Sequence, residues 1–330
     1  MAGSISPSLH ATLIVLSMLT FGLTLFFHVA ASTVSINGLF LTTHQNITEK
    51  FVLQITPDAW LVSIWTLINV WNGLWLIYVF ITLFRRNQYG PVYCNPAIHP
   101  PMFYILWIAN NLLNIGFLFL WDRQCLVQAL GLQILIPYSC YVMLSISYRN
   151  LYQHGTWLKS NSSSDLWNVR YLVHNGLALY AAWTSIDVLV NFGIVLKYSF
   201  GLMDPAVSTA MLSILLVELI VWFLLENFVL EKYVRYTFTV YPVVILGLAG
   251  MFTRNYRFDS ITTNTIYCGV LMAIGAAFCV FRLIAICFYD YNKPSSSPLV
   301  EDFGSTVSLP ALKLDVDRKF GIINNQCSTA

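Results

Sequence analysis

The stretch that decides the fold runs from Tyr171 to Leu196 and reads YLVHNGLALYAAWTSIDVLVNFGIVL. A helix needs about 20 mostly apolar residues to cross the hydrocarbon core of a bilayer, and this stretch exceeds that length. It contains one carboxylate, Asp187, and no lysine or arginine. The stretch therefore predicts a transmembrane helix, and the rest of the chain can be examined by the same criterion.

The composition of the whole chain agrees with a membrane protein. Hydrophobic residues make up 57% of the 330 residues and charged residues make up 10%, whereas soluble globular chains have about 45–50% and about 25%. The composition therefore favours an integral membrane protein with the lipid bilayer as its main partner, and it excludes a soluble domain. The net charge is +2 and the basic residues form no dense cluster, so a nucleic-acid partner is not expected.

Seven further segments meet the same criterion, which predicts an all-α, polytopic transmembrane helix bundle of about eight spans. In chain order the predicted spans are Leu9–Ala31, Ala59–Phe84, Met102–Trp121, Cys125–Ser147, Tyr171–Leu196, Ala206–Leu230, Tyr236–Phe252 and Thr265–Tyr289. The seventh is the weakest, because it is short and contains Pro242. We interpret the first as an uncleaved helix rather than a signal peptide, because no lysine or arginine precedes it.

Three regions are expected along the chain. Residues 1–196 hold five spans and residues 197–289 hold three more. Residues 290–330 are expected to be a disordered cytoplasmic tail, because a Pro-Ser run and alternating charges replace the apolar pattern.

The distribution of basic residues predicts an orientation. With the N-terminus in the cytoplasm, most lysines and arginines of the loops fall on the inner side, which the positive-inside rule favours. Both termini are then cytoplasmic. The sequon at Asn46 falls in the first outer loop and is a candidate glycosylation site, whereas the sequon at Asn161 falls inside and should be silent. A glycan on Asn46 favours the secretory pathway or the plasma membrane, and the organelle stays open.

Polar and aromatic side chains recur at helical spacing in three spans, so each set lies on one face of its helix. The stripes are Trp65, Asn69 and Asn72 in the second span, Asn110, Asn114, Phe117 and Trp121 in the third, and Tyr180, Trp183, Thr184, Asp187 and Asn191 in the fifth. If the stripes face inward together, they line a cavity with rings and hydrogen-bonding groups, as in a small-molecule site. The alternative is that these side chains join neighbouring helices by interhelical hydrogen bonds.

Four charged residues fall inside predicted spans, namely Asp187, Glu218, Glu226 and Arg282. Charge at the bilayer centre is costly, so these side chains are expected to face protein or water. Glu226 and Arg282 lie at similar depth and are predicted to form an ion pair. Asp187 and Glu218 are candidates for ligand anchors or proton carriers, and neutral carboxyls bonded to neighbouring helices are an equal alternative.

Several of these residues match a known family. Trp65-Thr66-Leu67 with Gly73 resembles the second helix of the translocator protein family, also called the tryptophan-rich sensory or peripheral benzodiazepine-receptor proteins. Asn114, Phe117 and Trp121 are similar to its third-helix motif, and Trp183 with Asn191 is similar to its fifth-helix motif. The resemblance covers Leu9 to Leu196, the first five spans, and leaves three helices without a counterpart.

The resemblance implies a five-helix bundle around a pocket that opens toward the first outer loop. Its ligand classes would be tetrapyrroles, sterols and synthetic aromatics, with contacts from Trp65, Asn114, Trp183 and Asn191. The chain departs from the family pattern where Asn69 replaces a tyrosine, Phe117 a tryptophan and Asp187 a small residue. These changes alter the polarity of the pocket and leave the identity of the ligand open.

The leading hypothesis is a non-enzymatic, multi-pass membrane protein that binds a hydrophobic or amphipathic aromatic small molecule and, in one version, transports it. The alternative is a proton-coupled secondary transporter that uses the intramembrane carboxylates. The sequence has no HExxH motif, no histidine cluster and no serine-nucleophile motif, and His174 is the lone intramembrane histidine singled out. The cysteines show no metal-ligand spacing, so no metal and no cofactor are expected.

Overall fold

The computed structural model describes residues 6–33 and 38–292, and helices dominate these segments. The helices are α1 Pro7–Thr33, α2 His44–Lys50, α3 Ser63–Thr82, α4 Pro101–Asp122, α5 Leu126–Asn161, α6 Ser163–Asn168, α7 Asn175–Tyr198, α8 Asp204–Leu224, α9 Glu231–Val234, α10 Val240–Asn255 and α11 Thr263–Asn292. A 3-10 turn, Ala59–Val62, leads into α3. The π-helical segments Val169–His174 and Leu225–Val229 join α6 to α7 and lengthen α8. The predicted all-α, polytopic fold is confirmed.

Seven helical stretches in the described part of the chain are long and apolar enough to cross a membrane. The predicted seventh span is also helical, but α10 has only 16 residues and is about 24 Å long. That is shorter than a bilayer core of about 30 Å. Pro242 lies in the first turn of α10, where no intrahelical hydrogen bond is lost. Eight membrane crossings therefore stay a prediction, and seven of the predicted spans are helices long enough to cross the bilayer.

The stretch quoted at the outset lies at the centre of the helix packing. Of the window that qualifies Ser163–Tyr198 as a span, 72% is buried, against at most 50% in the other six. Helix α7 contacts α3, α5, α8 and α10, whereas α4 packs between α1 and α5, and α11 packs on α8 and α10. Gly176 permits the close approach of α3, because a Cβ there would lie 2.7 Å from Trp71 Cδ1.

The outer surface of the bundle is apolar, as lipid contact requires. Large hydrophobic side chains point outward from several helices, including Leu19, Val70, Leu112, Val217, Ile266 and Val280. In water such a surface would be strongly unfavourable, because burial of apolar area drives soluble folding. In hydrocarbon it costs nothing, so the described helices form an integral, multi-pass membrane protein.

The connecting segments divide between two ends of the bundle. Residues 38–58, which include α2, lie at one end together with residues 199–204, and Gln54 N donates to Asp204 Oδ1 at 3.1 Å. The segment between α3 and α4 lies at the other end and contains an antiparallel hairpin, β1 Arg86–Asn87 with β2 Gly90–Pro91. Gly90 has φ of 118°, which favours glycine. We call these the loop end and the hairpin end.

Helix α5 is longer than predicted and continues past Ser147 to Asn161. The apolar run in the sequence ends at the polar residues near Arg149, but Leu151 and Leu158 further along the helix are buried. Tertiary contacts at the hairpin end, including those with α6, therefore stabilise the extra turns. The predicted tail lies outside the described residues, apart from residues 290–292, which continue α11.

The two sequons lie at opposite ends of the bundle, so they report its orientation. Asn46 is exposed on α2 at the loop end, and Asn161 closes α5 at the hairpin end. With cytoplasmic termini, a eukaryotic secretory host should glycosylate Asn46 alone, because oligosaccharyl transfer occurs on the non-cytoplasmic face. We expect Asn46→Gln to abolish the glycosidase-sensitive gel shift and Asn161→Gln to leave it unchanged. A shift that depends on Asn161 would reverse the predicted orientation.

Candidate functional site

Two of the three predicted stripes meet through aromatic rings. The Trp65 ring on α3 lies 6.3 Å from the Tyr180 ring and 6.4 Å from the Trp183 ring on α7, both edge to face. Edge-to-face contacts place the positive edge of one ring on the negative face of another. The stripes of the second and fifth spans therefore meet through these rings.

The third stripe joins them through an amide and phenol cluster. Tyr180 Oη donates to Asn110 Oδ1 at 2.9 Å and accepts from Asn114 Nδ2 at 2.5 Å. Asn110 Nδ2 also donates to Ile136 O and Ser139 Oγ on α5, at 3.0 and 2.7 Å. Both asparagines are buried. Their donors are thus used within the protein, which matches the alternative of interhelical hydrogen bonding.

The remaining asparagines of the stripes differ in their hydrogen bonds. Asn72 Oδ1 accepts from Trp75 Nε1 at 2.9 Å, within α3. Asn191 Nδ2 donates to the backbone oxygen of Asp187 at 3.1 Å. Asn69 is half-buried and has no hydrogen bond among the residues that the structure describes. Asn69 therefore keeps a free amide, whereas Asn72 and Asn191 are used locally.

A second aromatic group lies toward the loop end. Phe117 stacks on Trp121, with ring centroids 5.8 Å apart, and the His44 ring from α2 lies 5.9 Å from the Trp121 ring. The Phe51 ring is 6.3 Å from Trp121. These four rings bring the end of α4 and the first loop together.

Residues 38–58 are fixed at both of their ends. The buried carboxylate of Asp122 accepts two backbone hydrogen bonds at Oδ1, from Leu41 N at 2.9 Å and from Thr42 N at 3.2 Å. Lys197 Nζ donates to Val52 O at 2.7 Å and to Asp204 Oδ2 at 2.9 Å. The segment is thus a fixed cover rather than a loose connection, and we call residues 38–58 the cover segment.

Four ring nitrogens of α2, α4 and α7 are buried and lack a partner. Trp107 Nε1, Trp121 Nε1, Trp183 Nε1 and His44 Nδ1 form no hydrogen bond within the described ranges. The His28 ring lies 5.5 Å from Trp65, which in turn contacts Trp183, whereas His44 contacts Trp121 and Trp107 contacts Tyr180. Burial, with a smaller effect of His28, lowers the pKa of His44 to about 4, so its imidazole is neutral at pH 7. Buried polar groups are normally hydrogen-bonded, so these four nitrogens are exceptions to that rule.

The intramembrane charges separate into three environments. Asp187 Oδ2 accepts from Gln133 Nε2 on α5 at 2.8 Å. Glu226 and Arg282 form the ion pair expected from their depths, with Oε1 and Nε 2.9 Å apart, and Tyr241 Oη donates to Glu226 Oε2 at 2.6 Å. Glu218 is exposed on α8, and the cavity that it lines includes Ala182 and Ile186 of α7 but none of the stripe residues. The structure therefore does not bring Glu218 to the stripe residues.

His174 is not isolated, which the sequence alone did not reveal. His174 Nε2 is 2.8 Å from Ser147 Oγ, and Ser147 Oγ is 3.0 Å from His99 Nε2. All three residues are buried, and burial, followed by a smaller effect of His10, lowers the pKa of His99 to about 3. The chain of polar groups joins three segments far apart in sequence. No spacing rule could have found it.

Other contributors to the site were also missed from the sequence. Gln133, His28 and Asp122 are polar residues within or at the ends of predicted spans, and that position is itself a signal. His44 lies in a loop, where a polar residue is ordinary, so nothing in the sequence distinguishes it. Within the described chain, no group of three or more His, Cys, Asp or Glu residues is arranged to hold a metal ion.

Asp122 provides a test of how the cover segment is held. Asp122→Ala removes the acceptors of Leu41 N and Thr42 N, and hydrogen bonds to charged groups are worth about 1.5–3 kcal/mol. We expect amide hydrogen exchange across residues 38–46 to accelerate by at least about tenfold. Mass spectrometry after deuterium labelling measures it, with Asp259→Ala, an exposed loop carboxylate, as the control. Unchanged exchange would show that other contacts hold the segment.

Comparison with known proteins gives one result. The family model described as TSPO-like protein matches residues 14–282. The match reaches into α11, so the likeness extends beyond the first five helices in which the motifs lie. No match was found among curated proteins or among solved structures. Because the family model covers most of the chain, the protein belongs to the TSPO-like family and is a membrane protein of the translocator type.

Proposed function

We propose that the protein binds a hydrophobic or amphipathic aromatic small molecule, of the tetrapyrrole or sterol class, in the bundle interior beneath the cover segment. The ligand lies among α1, α3, α4 and α7. Residues 1–196 form the ligand-binding core in this proposal, and residues 197–289 support it from outside. The first loop faces the non-cytoplasmic side.

The observation that carries this proposal is the set of unpaired ring nitrogens. Trp107 Nε1, Trp121 Nε1, Trp183 Nε1 and His44 Nδ1 are buried without partners in the described part of the chain, yet the amide nitrogens of Asn110 and Asn114 donate to oxygens of the protein. An unpaired buried donor costs about 1–3 kcal/mol. A ligand that accepts from two indoles and meets a neutral imidazole removes that cost.

The surrounding rings suit a flat, apolar ligand. Trp65, Phe117, Trp121 and Trp183 offer π faces and edges, and Asn69 retains a free amide on α3. Aromatic surface buries large areas with little loss of side-chain entropy, and a few polar groups fix orientation. Gln133 of α5 donates to Asp187 Oδ2, and in this proposal Asp187 Oδ1 is the acceptor offered to the ligand.

The contacts of the carboxylates do not favour proton-coupled transport. Asp187 is bonded to Gln133, Glu226 to Arg282 and Tyr241, and Glu218 lies exposed on α8. No contact joins one of these carboxylates to another among the described residues. A proton path through the bilayer needs such groups to be linked. Binding is therefore the function that the arrangement supports best.

The role of Trp183 can be measured with protoporphyrin IX and with cholesterol as probes. Trp183→Phe keeps the ring and removes Nε1–H, so a hydrogen bond to the ligand is lost while the packing remains. We expect the unmodified protein to bind at least one of the two probes, and we expect the variant to raise the Kd of that probe by up to about tenfold. Quenching of tryptophan fluorescence in detergent or nanodiscs provides the measurement for the porphyrin, and competition provides it for the sterol.

Two further variants make the result interpretable. Trp167→Phe changes a tryptophan that stacks on Tyr171 near the hairpin end, and it should leave the Kd unchanged. Glu218→Gln should also bind normally. If Trp183→Phe binds like the unmodified protein, the proposed hydrogen bond from Trp183 Nε1 to the ligand is wrong. If Glu218→Gln abolishes pH-driven uptake into proteoliposomes, the proton-coupled alternative replaces the binding proposal.

A further inference from the structure

A groove on the opposite side of α7 is separate from the interior site. Helices α5, α7, α8 and α10 enclose it, and its volume is about 620 Å³. Its lining includes Tyr141, Ala182, Ile186, Glu218, Trp222 and Val244. Small-molecule sites commonly have volumes of about 300–1,000 Å³, so the groove has room for a ligand. We call it the lateral groove.

The lateral groove opens to lipid at the depth of Glu218. Tyr141 and Val221 on its rims are 45% and 47% exposed, on helices whose outer faces are apolar. Glu218 lies 14 residues after Asp204, the start of α8, and 11 residues before Val229. At 1.5 Å per residue this is about 21 Å from one end and about 16 Å from the other. A ligand therefore enters from the bilayer, near mid-depth.

Glu218 is the unusual feature of this groove. Its side chain is exposed, and it has no hydrogen bond or ion pair within the described residues. The other titratable or charged side chains of the lining are Tyr141, Tyr148, Tyr233 and Arg149. Tyr141 Oη pairs with Ser185 Oγ at 2.8 Å, and Tyr148 Oη pairs with Thr237 Oγ1 at 2.6 Å. Arg149 lies two helical turns beyond Tyr141, about 12 Å further toward the hairpin end.

A carboxylate among apolar and aromatic side chains selects a particular ligand chemistry. A cation is favoured beside Glu218, and Trp222, one turn further along α8, supplies a ring that attracts cations. The remaining lining offers mainly apolar surface for the body of the molecule. We propose that the lateral groove binds a lipophilic amine, with its protonated nitrogen on Glu218 and its hydrocarbon body along α5, α7 and α10. This site is independent of the interior site.

Photolabelling in phosphatidylcholine nanodiscs tests the proposal. The probe is an N,N-dimethylalkylamine that carries a diazirine and an alkyne, and the matched probe has a hydroxyl group in place of the amine. We expect the amine to label peptides of α5 and α8 that line the groove more than the outer faces of α1 and α11. Glu218→Gln should reduce this labelling by roughly tenfold, because the charge-assisted contact is lost.

Controls separate the proposal from general partitioning and from misfolding. Glu218→Asp keeps the charge and should retain most of the labelling, and Asp259→Asn should behave like the unmodified protein. Equal labelling by the hydroxyl probe, or unchanged labelling in Glu218→Gln, would overturn the proposal. Porphyrin or sterol binding measured on the same variants reports the interior site separately, so the two proposals can fail independently.

Discussion

In a bilayer, a polar side chain finds a hydrogen-bond partner only within the protein, and under this constraint the polar side chains of α7 bond to several neighbouring segments. Tyr180 bonds to two asparagines of α4 and Asp187 bonds to Gln133 of α5. At the start of the helix, Asn175 donates to Tyr236 O and accepts from Phe238 N, each at 2.9 Å. One buried helix thus fixes the positions of α4, α5 and the segment before α10.

The same helix separates two regions with different chemistry. On one side, aromatic rings and unpaired ring nitrogens lie in the interior. On the other, small side chains such as Ala182 leave the lateral groove, which Glu218 enters from α8. Each region departs from the rule that buried or intramembrane polar groups have partners. Such departures are expected where a protein keeps polar groups for a ligand.

Much of the fold followed from the sequence, because hydropathy and helical spacing act locally. The length of the apolar segments predicted the spans around Trp65, Asn114 and Trp183, and the helical spacing of polar and aromatic residues predicted their stripes. The Glu226–Arg282 ion pair was also predicted from the sequence, because the depth of each residue in the membrane can be estimated by counting residues from the end of its span. The end of α5 was misjudged, because Leu151 and Leu158 are buried by neighbours that hydropathy does not represent.

The sequence by itself determined that the protein is a helical membrane bundle and which helix faces are polar, because each depends on residues close together in the chain. Only the tertiary structure decided which polar groups are used and which are free. Asn114 and Trp183 are both buried in the interior. Asn114 Nδ2 donates to Tyr180 Oη, whereas Trp183 Nε1 has no partner within the described chain. That difference arises from distances between helices, which no spacing within a helix encodes.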